Sequence, residues 1–266
     1  MIKMIQTLFL IITVICMTAC ATTSRPALSM DYSESARILY KDAVRRFDRE
    51  RWTEAQNMFS EVKAQYPYSK YAPLSELRIA DCAFELGSHA EAAVGYQHFL
   101  KLYPTHPEAQ YAAFRKGESY YAQIPADWFL SPPSYEKDQT ATKDARAALG
   151  HFLKSYTNSP HTKAAKEMYE EVEAALVRHE MYVASFYLRR NKKKAAAVRL
   201  ESVERQYPNS PVIPDAMFLK AITLLAIGKD ADAVKTFKQI ILMFEDHAQA
   251  QRARKYLKAL AARQGN

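Results

Sequence analysis

Apolar and polar positions along this chain keep a helical rhythm that restarts five times, each time closing on an aromatic residue: Tyr66, Tyr103, Tyr156, Tyr207 and Phe244. Eleven residues before these stand Ala55, Ala92, Ala145, Ala196 and Ala233. Seven before stand Phe59, Tyr96, Leu149, Leu200 and Phe237, and four before stand Val62, Phe99, Phe152, Val203 and Ile240. Steps of four, three and four residues return to one side of an α-helix, so each set predicts a helix with a single apolar stripe. An alanine in that stripe at every copy predicts a close crossing with a second helix. Twelve residues further upstream, Ala43, Ala80, Ala184 and Ala221 supply the small residue that such a crossing needs. Gly87 and Gly228 fall between the two helices of their copies, where a left-handed C-cap residue belongs. Each copy therefore predicts an antiparallel helix hairpin. The segments QYPYSK (65–70), LYPTHP (102–107), SYTNSP (155–160) and QYPNSP (206–211) are turns that end one hairpin and aim the next.

The spacing of the copies is uneven in an informative way. Turn aromatics lie 37 residues apart between the first and second copies and between the fourth and fifth, but 53 and 51 apart around the third. The extra residues before Ala145 contain IPADWFLSPPSYEKDQ (124–139), whose three prolines predict an inserted loop rather than a helix. Those before Ala184 fall in a stretch with no Gly or Pro after Pro160. The surplus of 14 is close to four whole helical turns, which predicts one long helix over roughly 161–189. With only six glycines in 266 residues, the composition agrees with an all-α fold. A small residue, then Ala-x-x-x-Phe, then a closing Pro is similar to the tetratricopeptide repeat. The expected architecture is an all-α tetratricopeptide-repeat solenoid of about five helix hairpins, with an inserted loop in the third and an elongated helix in the fourth. Hairpins of this kind bury their stripes only by stacking, and the first helices of the stack line a concave face suited to extended segments or other proteins.

Ahead of the repeats, Lys3 is followed by the apolar run MIQTLFLIITVICM (4–17), which has the length of an export signal and is short for a bilayer span. Its end, MTAC (17–20), resembles the bacterial lipobox, in which the cysteine is acylated; Met17 departs from the usual leucine. The alternative is a plain signal peptide cut at an Ala-x-Ala-like site. On the lipobox reading Cys20 carries the lipid, and Ala21 at the next position favours the outer membrane, with the chain on its periplasmic face. The expected organisation is a signal peptide over 1–19, a lipidated polar tether over 20–32, front repeats 1–3 over 33–156, and rear repeats 4–5 with a C-terminal helix over 157–262. Of the three cysteines, Cys16 lies in the signal, which leaves Cys82 as a small buried hydrophobe in the folded part.

Candidate chemistry is sparse. The seven histidines show no HxxxH or HExxH spacing, and His89, His98 and His106 are split between two ends of one predicted helix and the next turn, so surface or capping roles are expected and no metal or cofactor. No cluster of glycines could cradle a phosphate. The carboxylates of YEEVE (169–173) read as a solvated helix face. Against a formal net charge of +8, RRNKKK (189–194) concentrates five cations in six residues. Two readings stay open: contact with an acidic protein surface or anionic headgroups, or a solubilising cap on a helix end. Nucleic acid is not an expected partner for an exported chain.

Lipobox, five repeats, the insertion and the elongated helix together resemble the BamD family, the lipoprotein subunit of the outer-membrane β-barrel assembly machinery. YPTHPEAQYAAFRKG (103–117), DARAALGHFLKSYTNSPHTKAAKE (144–167) and HEMYVASFYLRRNKKKAAAVRLESVERQYPNSP (179–211) are similar to that family's pattern. The resemblance extends from about Ser33 to Ala259; the Pro-rich loop keeps the family's position but differs in character. It implies a non-enzymatic scaffold that binds BamA through its POTRA domains, other lipoproteins of the machinery and unfolded outer-membrane proteins, with a lipid anchor in the membrane. A periplasmic adaptor for peptidoglycan enzymes is the alternative. Arg37, Tyr40, Arg78 and Asp81 on the first helices of the front repeats form a mix suited to an extended peptide with aromatic and carboxylate ends. The resemblance implies that this region receives the targeting strand of unfolded barrels. Arg199 sits at the margin of the buried stripe of its helix, where local pairing with Glu201 or Glu204 is one reading. The resemblance instead aligns it with an arginine that faces the membrane-proximal POTRA domain of BamA.

Overall fold

The computed structural model describes residues 31–126, 130 and 132–264. The signal, Cys20 and nearly all of the tether lie outside the described residues. Among those described there are eleven α-helices and no strand. Five hairpins pair α1 (Tyr32–Phe47) with α2 (Trp52–Gln65), α3 (Tyr71–Glu85) with α4 (His89–Leu102), α5 (Ala109–Ala122) with α6 (Thr140–Ser155), α7 (Thr162–Arg189) with α8 (Lys193–Gln206), and α9 (Ile213–Leu225) with α10 (Asp230–Met243). The final helix α11 (Ala248–Gln264) covers the last hairpin.

The alanine positions do what their spacing predicts. Ala55, Ala92, Ala145, Ala196 and Ala233 are completely buried, as are Ala43, Ala184 and Ala221, with Ala80 nearly so. Around them Phe59, Phe99, Phe152 and Phe237 fill the space between paired helices without any exposed surface. Each such ring contributes about 1.5–3 kcal/mol through removal of its apolar area from water. Helices come so close at one crossing that a Cβ added at Gly95 would sit 2.8 Å from the Ala80 Cβ. The same intimacy recurs at Gly117, where an added Cβ would meet Leu149 at 2.7 Å.

Both kinds of turn repeat. After each second helix the chain passes through Tyr66, Tyr103, Tyr156, Tyr207 or Phe244 in one backbone conformation, with φ between −127° and −138°. The N–H of the third residue on then bonds back to that aromatic's carbonyl, at 2.9 Å for His247 and 3.2 Å for Ser159. Between first and second helices a left-handed residue reverses the chain: Gly87 at φ 76° and Gly228 at φ 77°, as expected, but also Glu50 at φ 59° and Asn191 at φ 58°. Glycine adopts this region without a Cβ clash, whereas Glu50 adopts it at a cost its neighbours must offset.

The third hairpin carries the insertion, which folds back on α7: His179 Nδ1 lies 2.7 Å from the Tyr135 carbonyl and the Tyr135 ring packs against Tyr182 at 5.7 Å. Gln139, nearly buried, ties the segment together by donating to the Ser134 and Lys137 carbonyls. The fourth hairpin's first helix, α7, runs for 28 residues without a break. Its extra length precedes Ala184, so the crossing with α8 and the turn at Asn191 stay in register with the other hairpins.

Curvature follows from which helices touch. Besides their hairpin partners, α1 meets α3, α5 meets α7, α7 meets α9 and α9 meets α11. No comparable contact joins two second helices among the described residues, so the first helices line the inner side. One apolar core runs continuously from Ala113 to Ala253; Tyr96 and Phe99 centre a second cluster and Phe59 a third.

Candidate functional site

On the inner side of the front hairpins, three of the four residues singled out from the sequence meet, and they do so around a buried carboxylate. Asp81 has 1% of its surface exposed. Its Oδ2 accepts from Arg78 Nη1 at 2.7 Å, and its Oδ1 accepts from the Tyr96 hydroxyl at 2.6 Å and the Tyr111 hydroxyl at 3.0 Å. Arg115 stands behind, donating from Nε to the Tyr96 oxygen at 3.1 Å, with its guanidinium 3.9 Å over the Phe84 ring and further bonds to Glu118 and Glu85. Three side chains from α3, α4 and α5 thus hydrogen-bond to one charge that would be costly to bury alone, with Arg115 Nε a further 4.0 Å from its Oδ1. Asp81 is committed inside the fold, where its carboxylate orients Arg78.

Arg78 keeps 36% of its side-chain surface exposed. Burial alone would lower its pKa, but the Asp81 carboxylate outweighs burial and holds the group further up than usual, a permanent cation. Tyr40 stands beside it, its hydroxyl pushed up by burial and partly pulled back by Arg78. The Tyr40 ring packs on Phe59 at 5.6 Å and on Tyr71 at 5.2 Å. Further along, His161 stacks on Phe114 at 4.5 Å and faces Tyr111 at 6.0 Å. A fixed guanidinium among tyrosines is equipped to hold a carboxylate and an aromatic group together. Arg37 does not join them: its guanidinium turns along its own helix to Glu34, both half-exposed.

Sequence reasoning missed Tyr71, Tyr96, Tyr111 and Arg115. Tyr96 carried a signal, because it occupies a stripe position held by Phe or Leu in the other copies, and a buried hydroxyl requires an acceptor. Tyr111 and Arg115, four apart on α5, share a face.

In the rear hairpins Arg199 pairs with neither Glu201 nor Glu204. Its Nε edge lies against the Glu180 carboxylate of α7, and Nη2 donates to Glu180 Oε1 at 3.2 Å. Glu204 is taken by Lys220 of α9 at 2.9 Å. The Arg199 side chain remains 41% exposed, and Glu180 is its one ion-pair partner among the described residues. A second buried carboxylate, Glu173, accepts from Arg146 and from the Tyr169 hydroxyl at 3.0 Å, while Arg146 also donates to the Gln206 carbonyl and lies 4.8 Å over the Tyr207 ring. That network ties the third and fourth hairpins together.

His106, His247 and Cys82 have structural settings. His106 and His247 accept backbone N–H groups of Glu108 and Gln249 through Nδ1, as capping residues do. Cys82 is fully buried, and burial with the neighbouring Asp81 charge pushes its thiol up to about 12.

Comparison with known proteins places this repeat array. The family model described as YfiO, outer membrane lipoprotein, matches residues 32–240. A protein of Caulobacter vibrioides named outer membrane protein assembly factor BamD is 29% identical over 214 residues, covering 80% of this chain and 68% of that one. The protein of the same name from Xylella fastidiosa (strain Temecula1) is 29% identical over 183 residues, 67% of this chain and 62% of its own length. That from Neisseria meningitidis serogroup A is 23% identical over 230 residues, 83% and 84% respectively. With the match running from the start of α1 to the last turns of α10, this chain belongs to the YfiO family of outer membrane lipoproteins.

Proposed function

We propose that this protein is a scaffold and substrate-receiving subunit in the assembly of β-barrel proteins into the outer membrane, anchored by lipid on Cys20 at the periplasmic face. The observation that carries the proposal is the family match over residues 32–240, joined to relatives named outer membrane protein assembly factor BamD. The partners are a POTRA domain of BamA, other lipoproteins of the machinery and unfolded barrel precursors.

Two surfaces divide the work. Arg78, Tyr40 and the tyrosines around them receive an extended precursor strand, its carboxylate meeting the guanidinium and its aromatic side chain the rings. Arg199, held by Glu180 on one edge, offers the other edge to BamA. Neither surface has a nucleophile beside a base, and holding segments in place is the role proposed for both. In-cell crosslinking tests the assignment: recovery of BamA with nascent barrels supports it, and recovery of peptidoglycan enzymes in their place overturns it. Within the receiving face, a synthetic barrel strand that crosslinks only to the rear hairpins would refute the placement at Arg78 and Tyr40.

A further inference from the structure

The turns between first and second helices run along one edge of the array, and the aromatic turns run along the other. At the fourth turn of the first edge, Arg189, Arg190, Lys192, Lys193 and Lys194 surround the left-handed Asn191. All but Lys193 are exposed. None has a carboxylate partner among the described residues; Arg190 lies 4.7 Å over the Phe186 ring, Arg189 lies 5.9 Å over Tyr182, and Lys193 reaches the Ala226 carbonyl at 3.4 Å. The first and fifth tips carry their own acids. At the first, Arg45 pairs with Asp42, and Arg46 and Arg51 share Glu54; at the fifth, Lys229 faces Asp232 at 3.8 Å.

Helix capping accounts for part of this cluster only. Arg189 and Arg190 at the end of α7 suit the negative end of a helix dipole. Lys192, Lys193 and Lys194 do the reverse, standing at the positive start of α8, whose first turn has no acidic residue. Three sister helices begin with acid: Glu54 in α2, Glu91 in α4, Asp230 and Asp232 in α10. Among the second helices only α6 also begins without acid, so what sets the fourth tip apart is its run of cations without a carboxylate partner, which a negative surface outside the chain would complement.

We propose that the Arg189–Lys194 tip docks an acidic protein segment, whose carboxylates take up the guanidinium and ammonium donors left without partners. A protein is favoured over a membrane surface by the place where the described chain begins. Tyr32, at the start of α1, packs on Tyr66 at 5.2 Å, on the aromatic-turn edge. The 16 residues of α1 put about 24 Å between that edge and the tips. On the lipid-anchor reading, a tether entering at Tyr32 joins the array at the aromatic-turn edge, the edge opposite the basic tip. The choice of a protein over a membrane rests on the lipid anchor proposed above; the charge cluster itself does not.

The test measures binding of fluorescent poly-L-glutamate to the full chain in detergent, across a range of salt. Lys192→Glu with Lys194→Glu should weaken binding at least tenfold and flatten its salt dependence, with an unchanged circular dichroism spectrum. Arg45→Glu with Arg49→Glu reverses the same amount of charge at the balanced first tip and should leave binding intact. An equal loss in both variants would reduce the effect to net charge and overturn the proposal. So would binding to phosphatidylglycerol vesicles that depends on Lys192 and Lys194 without any matching dependence for poly-L-glutamate.

Discussion

Replacing Asp81 by asparagine keeps the shape of the side chain and removes the charge on which Arg78, Tyr96 and Tyr111 converge. The amide can still accept from the tyrosines through its oxygen, but its NH2 then faces Arg78 Nη1, donor against donor. Breaking a buried ion pair by removing one partner costs about 3–5 kcal/mol. Arg78, 36% exposed, can turn to water, and Arg115 retains Glu85 and Glu118, so the cost falls to the lower end of that range or just below it. The expected loss is therefore ~2–3 kcal/mol, against a total stability of about 5–15 kcal/mol for a typical domain. Asp81→Ala should lose roughly 1–3 kcal/mol more, because the Tyr96 hydroxyl is then buried without an acceptor. Urea titration by circular dichroism gives the magnitude, and hydrogen exchange gives the place. Protection should fall in α3 and α4, whose apolar clusters are separate from the rear core, and in the part of α5 around Tyr111, while α5 also joins that core through Ala113 and Phe114. A loss under about 0.5 kcal/mol, or one spread evenly over α7 to α10, would refute the view that the network is a structural anchor of the front hairpins.

Arg199→Gln, chosen because a reversed charge would face Glu180, should weaken co-purification of BamA by ~2 kcal/mol or more with a nearly unchanged melting temperature; undiminished recovery would remove Arg199 from the interface. Cys20→Ser should abolish labelling by a palmitate analogue and release a folded protein from the membrane fraction, whereas an unlabelled wild type would sink the lipid assignment. Gly95→Ala should destabilise despite alanine's better helix propensity, by about 1–3 kcal/mol, because its Cβ meets Ala80 at 2.8 Å; a rise in the urea midpoint would show that the crossing yields freely. Cys82, with its thiol raised from 9.0 to about 12 by burial and the Asp81 charge, contributes stability that is complete below pH 9 and is lost as pH climbs toward 12. At pH 8 iodoacetamide should therefore label it only in urea, and rapid labelling of the native chain would contradict its burial.

What the sequence reveals of this fold is what repeats. Five alanines in one register locate five helix crossings, and the uneven spacing locates both the insertion and the long α7. Glu50 and Asn191 escape a search for glycine, yet each lies 37 residues before Gly87 or Gly228, so the register itself carries the information. Side-chain partners are less legible because they depend on several helices at once. Asp81 reads as a ligand contact on α3 alone and becomes an interior anchor only when α4 and α5 bring Tyr96, Tyr111 and Arg115 to it. Arg199 finds its acid 19 residues back, on the opposite helix of the hairpin, where no count along one helix would place it.

The uninterrupted α7 fixes a rotational phase between front and rear hairpins. Each residue of an α-helix turns the chain beyond it by about 100° and advances it by about 1.5 Å. One residue added between Thr162 and Ala184 would swing the rear array by more than a quarter turn, carrying Arg199 and the basic tip away from their present bearings relative to Arg78. Seven residues, by contrast, return within about 20° and merely lengthen the reach by about 10 Å. The present surplus of fourteen is twice that step. Length can therefore drift in α7 only by increments that restore the angle, which makes this helix an indexed axle: the distance between the two surfaces is adjustable, and their relative orientation is not.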